Sequence, residues 1–327
     1  MVHGSRTSRW RVLLGHAGTT IVLSGVCAML FVRSAQGWAE ATPTGWAGVA
    51  GETIGGGDIE PVDIRDADTL NRLAIGSTAK VLRIHGTIRL TDQLRVGSNT
   101  TLIGAGGDAT IRGGGIHVRK VDNVVIRNLT ITEAPDAVSI EESHHIWVDH
   151  CDLSKCSDGL VDIKRGSDYV TVSWNHFHDH RKTCLLGHSD KQNIRAIDLG
   201  HLRVTYHHNY FDGTQTRHPR VRFASPVHVY NNYYRDNEYG IAALMDSGVI
   251  VENNYFEDVE QPTVTQYGDS PDPGRLIERG NVYVRSGEAQ TRGTVDESTL
   301  IYRYQMDPAD KLPQIVESGC GVGKLEK

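Results

Sequence analysis

Short stretches of alternating apolar residues recur along this chain, most of them ending in Asn or His followed by an apolar or aromatic residue. Seven of them are VVIRNLTI, IWVDHCDL, VTVSWNHF, VTYHHNYF, HVYNNYYR, IVENNYFE and IERGNVYV. They align on Leu129, Cys151, Asn175, Asn209, Asn232, Asn254 and Asn281, in steps of 22, 24, 34, 23, 22 and 27 residues. Alternation with period two is typical of β-strands, and repeats of this length are typical of solenoids. The pattern predicts a mostly β chain built as a stack of similar rungs.

The aligned position predicts a structural role for its polar residues. Asn side chains at one position of stacked rungs can hydrogen-bond up and down the stack, so Asn175, Asn209, Asn232 and Asn254 are expected to form a ladder. The aromatic residues beside them are expected to stack on one another rather than to hold a sugar. These residues are Tyr210, Tyr233, Tyr255 and Phe256.

The two ends of the repeat region differ from its middle. Residues 62–79 predict one short helix, which would cap the open end of the stack, and strands are expected in VLRIHGTIRL and TTLIGAG. The period continues to about residue 284 and is lost after Asp296, so the remaining residues predict a tail packed on the outside. The 34-residue step predicts a loop insertion at HSDKQNIRAIDLGHL, and such loops commonly build a binding face.

The N-terminal region is typical of a secretory signal peptide. Arginines precede an apolar run over residues 19–32, and small residues follow it. An uncleaved anchor is the alternative, because residues 12–32 are long enough to span a bilayer. We expect a signal peptide over residues 1–39 and a single domain over residues 40–327. The mature protein is expected to be secreted, extracellular, monomeric and without stable membrane association.

Four cysteines remain after residue 39, an even number for an oxidising compartment. They are Cys151, Cys156, Cys184 and Cys320. Three disulfide pairings are possible. Burial as a small apolar residue is an equal alternative for Cys151, which belongs to a repeat.

Candidate chemistry emerges when residues are counted from the aligned position. Asp136, Asp158 and Lys182 each lie seven residues after the aligned residue of their repeat, and Arg217 lies eight residues after Asn209. Neighbouring rungs lie about 4.8 Å apart, so the two aspartates are close enough to share a cation. The count predicts one column of two acidic and two basic side chains.

A third carboxylate and another cation continue from Asp158. Asp162 and Lys164 follow it at even spacing, which would place all three on one face of a strand. Three converging carboxylates, Asp136 included, suit a hard cation such as Ca²⁺. Solvated surface aspartates are the alternative, and the shared column favours the metal.

The segment TRHPRVR is strongly basic. Arg217 and Arg222 would face opposite ways on a regular strand, but Pro219 interrupts it and can bring both into one cleft. A basic turn with surface ion pairs is the alternative. The net charge of −6 argues against a nucleic-acid partner, yet a local cleft of cations beside carboxylates fits a polyanion bridged by a metal.

Three histidines alternate along one strand in a manner that resembles metal ligands. They are His176, His178 and His180. No cysteine or carboxylate set of conventional zinc spacing accompanies them. The sequence therefore favours polar surface or stacked positions for these side chains.

Several motifs together resemble the pectate lyase family of polysaccharide lyases, in particular the bacterial pectate lyase C type. They are IWVDH at residues 146–150, DGLVDIKRGSDYVTVSWN at 158–175, HRKTCLLGHSD at 180–190 and RHPRVRF at 217–223. The resemblance covers about residues 45–324. It implies a right-handed parallel β-helix and Ca²⁺-dependent cleavage of α-1,4-linked polygalacturonate (pectate) by β-elimination, and hence a role in pectin catabolism.

The resemblance also implies residue roles. It assigns Ca²⁺ to Asp136, Asp158 and Asp162, proton abstraction to Arg217, and substrate carboxylates to Lys164, Lys182 and Arg222. Some relatives carry a further acidic ligand where this chain has Ala134, and others have Glu in place of Asp158. The implied calcium cage is therefore weaker or more dependent on substrate.

An arginine base predicts an alkaline activity optimum, because the ordinary pKa of arginine exceeds about 12. Nearby cations are expected to favour its deprotonated form. Three alternative functions explain the sequence less well.

The motifs typical of polygalacturonase-type hydrolases are absent from the sequence. A lyase for methyl-esterified pectin should not need the aspartates. A non-catalytic module that binds acidic polysaccharide would not require Arg217.

Overall fold

Short parallel strands wind into a right-handed β-helix with three faces in the computed structural model of this protein, which describes residues 40–51 and 53–325. The predicted signal peptide lies outside the described residues. The first face is a sheet of ten strands. In spatial order they are Val62–Ile64, Lys80–Ile84, Thr100–Gly104, Asp122–Arg127, His144–Asp149, Asp168–Ser173, Val204–His207, Val227–Tyr230, Gly248–Glu252 and Arg275–Arg279.

The second and third faces are joined by two long, bent strands, Tyr233–Leu244 and Tyr255–Val264. The second face contains the first part of both, together with Thr87–Arg89, Thr110–Arg112, Thr130–Thr132, Asp152–Ser154, His176–His178, Tyr210–Asp212 and Val282–Val284. The third face contains their last residues, together with Leu94–Val96, Ile116–Arg119, Val138–Glu141, Val161–Lys164, Cys184–Leu186 and Arg220–Arg222. The predicted fold is confirmed.

Side-chain alternation fills the interior of the helix. In the strand Val161–Lys164, Val161 and Ile163 are fully buried in the apolar core, whereas Asp162 and Lys164 lie on the outer side. The same period of two recurs on the other rungs. A core of apolar side chains thus runs along the axis, and chemistry is confined to the outer surface and the turns.

The asparagine ladder is confirmed. Asn175 donates from Nδ2 to the Oδ1 of Asn209 over 3.0 Å, and the same bond joins Asn209 to Asn232 over 2.9 Å. It continues to Asn254 and then to Asn281, each over 3.0 Å. Because each Asn also accepts a backbone N–H from the rung before it, the ladder satisfies buried polar groups at a turn of the helix.

The aromatic stacks are confirmed as well. The rings of Tyr210 and Tyr233 lie 4.8 Å apart and nearly parallel on the outside, and Tyr255 meets Tyr233 edge-on. Phe256 is buried inside and stacks on Tyr234. These contacts join successive rungs on both sides of the second face.

Additional helices lie at the ends and in the insertion. The helix Ala67–Ala74 begins after Asp66, whose side chain accepts a hydrogen bond from the Thr69 N–H, and Leu70 and Ala74 are buried in the core. The helix Leu312–Gly319 in the C-terminal tail packs on the outer tyrosines. Three short 3₁₀ helices are Trp46–Gly48, Glu297–Thr299 and Ala309–Lys311. No helix in the described part is long and apolar enough to cross a bilayer.

All four cysteines of the described chain are free thiols. Cys151 and Cys184 are fully buried in the axial core, and Cys320, the residue after the C-terminal helix, is buried in the cluster between this helix and the outer tyrosines. Burial raises the pKa of the Cys156 thiol to about 11. The alternative of a small buried apolar residue therefore describes Cys151, and none of the four described cysteines forms a disulfide.

Candidate active site

The charged residues that the repeat spacing predicts to be neighbours lie close together, at the start of the third face. The strand begins at Val161, so Asp158 belongs to the turn before it rather than to the strand face that even spacing predicts. The Asp158 N–H donates to the Pro135 carbonyl over 2.9 Å. The turn still directs Asp158 towards the cations of the following rungs.

The predicted column is offset by one residue at its end. The backbone of Lys182 pairs with that of Thr216 on the next rung. Thr216 lies seven residues after Asn209, as Lys182 lies seven after Asn175, whereas Arg217 lies eight after Asn209. Arg217 follows with a left-handed backbone, φ 71°. Its side chain nevertheless reaches the same place, because Arg217 Nη1 lies 3.8 Å from Asp158 Oδ1.

Ion pairs connect the charged cluster, by which we mean Asp136, Asp158, Asp162, Lys164, Lys182 and Arg217. Lys182 Nζ lies 2.9 Å from Asp158 Oδ1, and Lys164 Nζ lies 3.7 Å from Asp136 Oδ2. Partial burial opposes ionisation of Asp158, but the hydrogen bond and charge of Lys182 together with Arg217 hold its pKa below the usual range. Both aspartates face cations.

Asp162 is the exception within the cluster. It is only 2% exposed, and within the described chain it makes no ion pair; the Leu185 N–H contacts its Oδ1 at 3.4 Å. Burial and the adjacent Asp136 charge raise the pKa of Asp162 to about 7. Asp162 is thus a buried carboxylate that lies beside a second carboxylate and has no cation of the described chain at contact distance. A hard divalent ion bound to both carboxylates would supply the missing positive charge.

Gly159 makes room for this carboxylate. A Cβ atom at this position would lie 2.0 Å from the Oδ1 of Asp162, well inside van der Waals contact. The Gly159 N–H also donates to the Oδ1 of Asp136 over 2.9 Å. One glycine therefore positions two of the three candidate metal ligands, and the sequence analysis did not identify it.

Arg222 lies at the far edge of the cluster. Its Nε donates to Asp190 Oδ1 over 2.6 Å and its Nη1 to the Gly187 carbonyl over 3.1 Å. Asp190 comes from the predicted insertion, which contains the helix Gln192–Asp198 rather than only loop. The insertion thus orients a candidate substrate-binding arginine.

Arg220 is a cation of the same strand that sequence reasoning did not single out. Arg220 and Arg222 share the outer side of Arg220–Arg222, whereas Val221 is buried. Burial lowers the pKa of Arg220, and so do the nearby charges of Arg222 and Arg217. Its Nε is buried without a hydrogen-bond partner in the described chain. The alternation of basic and apolar residues in RVR is the sequence feature that predicts Arg220 on the same side as Arg222.

The three histidines that alternate in the sequence lie in two different parts of the structure. His180 Nε2 lies 2.6 Å from the Asp158 carbonyl oxygen, so it borders the charged cluster. His176 and His178 lie on the second face instead. The turn after His178 ends the strand and directs His180 towards the cluster.

An open groove of about 590 Å³ extends from the charged cluster along the turns between the second and third faces. Lys155, His180, Arg181 and Gln215 line it beside Asp158 and Lys182. A groove bordered by several cations can accommodate an extended anionic chain as well as a single small molecule.

The chain is similar to known proteins in both sequence and fold. A family profile described as pectate lyase matches residues 19–325. Pectate lyase A of Aspergillus niger is 36% identical over 274 residues, which are 80% of this chain and 82% of that protein. The pectate trisaccharide-lyase of Bacillus licheniformis is 32% identical over 303 residues, 86% of each chain. The crystal structure of a Bacillus sp. N165 pectate lyase in complex with trigalacturonate superposes with a TM-score of 0.79 at 29% identity, covering 87% of this chain and all of that one.

Proposed function

This chain belongs to the pectate lyase family and is a polysaccharide lyase, and from that premise we propose that it cleaves α-1,4-linked polygalacturonate by Ca²⁺-dependent β-elimination. The observation that carries the proposal is the charged cluster, in which Asp162 is buried and makes no ion pair within the described chain, while its neighbours Asp136 and Asp158 pair with lysines. The trigalacturonate bound to a similar enzyme supports the substrate class.

Asp136, Asp158 and Asp162 fit the metal. Asp162 is ionised only with difficulty in the protein alone, since burial and Asp136 oppose its charge. Bound to these carboxylates, Ca²⁺ would supply the positive charge that neutralises a uronate and stabilises the negative charge developing on its C6 carboxylate. A site with three protein carboxylates leaves several of the six to eight oxygen positions to substrate and water.

Lys164, Lys182 and Arg222 are the proposed contacts for substrate carboxylates. In the protein alone two of them are engaged by the metal-binding aspartates, Lys164 by Asp136 and Lys182 by Asp158. Competition for these aspartates would release the Lys182 ammonium towards the polysaccharide, whereas Lys164 also contacts Glu141 at 3.6 Å. Metal and substrate binding are therefore expected to strengthen each other.

Arg217 is the proposed base. Acting as the neutral guanidine, it takes the C5 proton of the uronate, and the C–H electron pair forms the C4–C5 double bond. The bond from C4 to O4 breaks, its electron pair leaves with O4, and this oxygen takes a proton from water. Its guanidinium contacts Asp158 at 3.8 Å and is mostly buried, so its position is defined before substrate arrives. Lys182 contacts the same Asp158 oxygen, so both basic side chains meet at the Asp158 carboxylate.

The proposed activity has a direct test. We expect polygalacturonate incubated with the purified enzyme at alkaline pH and Ca²⁺ to gain near-ultraviolet absorbance, because the product is unsaturated. Excess chelator should abolish the rise, and restored Ca²⁺ should recover it. Equal or faster cleavage of highly methyl-esterified pectin in chelator would instead identify a pectin lyase. No absorbance change on either polymer would contradict the elimination itself.

The role of Gly159 leads to a second expected result. Gly159→Ala should displace the Asp162 carboxylate and raise the Ca²⁺ concentration for half-maximal activity about 10–100-fold, the range found when metal ligands lose their support. Gly107→Ala is the matched control, because a Cβ there would make only ordinary contact. An unchanged Ca²⁺ dependence in Gly159→Ala would argue against Asp162 as a ligand.

We also propose that the enzyme acts outside the cell. The proposal rests on the signal peptide predicted over residues 1–39 and on a polymeric substrate too large to enter cells. Mass spectrometry of the protein from culture medium would identify its N-terminus. A chain retained in the membrane fraction with residues 1–39 intact would favour the anchor.

A further inference from the structure

A second candidate metal site lies on the second face, away from the charged cluster. Asp152 comes from one rung, and His176 and His178 come from the next. His178 Nε2 lies 3.0 Å from Asp152 Oδ1, and His176 Nδ1 lies 3.3 Å from Asp152 Oδ2. One ligand atom from each of the three side chains lies within 4.8 Å of the others. The spacing allows one ion to contact all three.

The outer nitrogens of both rings are also occupied by carboxylates. His176 Nε2 lies 3.2 Å from Asp212 Oδ2, and His178 Nδ1 lies 3.2 Å from Asp179 Oδ2. Metal-binding histidines almost always donate their second N–H to a carboxylate or carbonyl, which fixes the ring and its tautomer. Here both rings have this outer partner, and both direct the remaining nitrogen towards Asp152.

We propose that Asp152, His176 and His178 bind a Zn²⁺-class transition-metal ion, independently of the lyase chemistry. Two imidazoles and one carboxylate suit zinc, whereas Ca²⁺ prefers six to eight oxygens. The three side chains are 23–26% exposed, so water can reach a fourth position. The ion would connect two neighbouring rungs.

The location indicates a structural role for the ion. Tyr210 stacks on His176 at 5.1 Å, and a Cβ on Gly321 would lie 3.4 Å from the His176 Cβ, so the C-terminal segment passes beside this residue. Holding His176 against Asp152 therefore also supports the surface on which the tail packs. The expected effect is a higher unfolding temperature.

The test is a Zn²⁺ titration of the full enzyme by calorimetry, with millimolar Ca²⁺ present to occupy the charged cluster. We expect one Zn²⁺ per chain. Asp152→Asn and His178→Gln should weaken binding at least tenfold, and Asp179→Asn, which alters only an outer partner, about 10–100-fold. Zn²⁺ should raise the unfolding temperature of the wild type but not of His178→Gln.

Two controls separate this site from others. His201→Gln removes an exposed histidine elsewhere and should bind Zn²⁺ like the wild type. Asp136→Asn alters the charged cluster and should also leave Zn²⁺ binding unchanged. The proposal is overturned by the absence of saturable binding, by wild-type affinity in His178→Gln, or by binding that is lost in Asp136→Asn. Matching circular dichroism of the metal-free variants excludes misfolding as the cause.

Discussion

Arg217→Ala is expected to lose about 10²–10⁴-fold in kcat while still binding polygalacturonate, because the variant lacks the group that accepts the C5 proton. Arg217→Lys should lose nearly as much, although it keeps the positive charge. A shorter ammonium in place of a guanidinium that contacts Asp158 at 3.8 Å changes both the reach and the basicity of the proton acceptor. Steady-state rates from near-ultraviolet absorbance, with binding measured separately by calorimetry, distinguish the two effects.

Arg285→Lys is the matched control for this experiment. Arg285 is an exposed residue paired with Glu257 and Asp258, distant in sequence from the charged cluster, and the variant should keep full activity. If Arg217→Ala retains more than about a tenth of the wild-type kcat, the base is another group. If it instead loses substrate binding with little change in kcat, Arg217 contributes to binding rather than to proton transfer.

Asp162→Asn is expected to abolish the response to Ca²⁺ and, without the metal, to make the protein more stable. The raised pKa means that the folded state holds a proton on Asp162 that the unfolded state has released between pH 3.8 and about 7. Stability of the metal-free wild type should therefore fall as pH rises through this window. The full cost is on the order of 4 kcal/mol above pH 7, and the variant avoids it.

The buried amide of the variant offsets part of that gain, since an imperfectly paired polar group costs about 1–3 kcal/mol. We therefore expect a net increase of about 1–3 kcal/mol in the free energy of unfolding at pH 8 in chelator. Ca²⁺ should raise the unfolding temperature of the wild type and leave the variant unchanged. Asp258→Asn, at an exposed ion pair, should keep the Ca²⁺ response. A variant that still responds to Ca²⁺ would remove Asp162 from the ligand set.

Local sequence was sufficient where side-chain alternation decides the outcome. The strand Val161–Lys164 follows from two apolar residues alternating with Asp162 and Lys164, and the asparagine ladder follows from one residue type at one position of each rung. The insertion was located by the longest step, but its helix and the contact of Asp190 with Arg222 were not predicted. That contact depends on how the insertion folds back, which no local pattern records.

The one-residue offset of Arg217 in the predicted column also depends on folding that no local pattern records. Counting placed Arg217 beside Lys182, whereas the backbone pairs Lys182 with Thr216. Turns of a β-helix differ in length, so counting from an anchor is reliable within a strand and loses a residue across a turn. Arg217 has a left-handed backbone, and its guanidinium still reaches Asp158.

The sequence by itself determined the repeat, the strand faces, the family resemblance and the set of charged residues that meet on the third face. These follow from period, spacing and motif, which are local properties. Tertiary structure alone decided that Asp162 is buried without an ion-pair partner among the residues described, that Gly159 makes room for it, and that Asp152 stands between His176 and His178. Each depends on distances between neighbouring rungs. Spacing along the chain identifies adjacent rungs, but only packing sets which atoms come within contact.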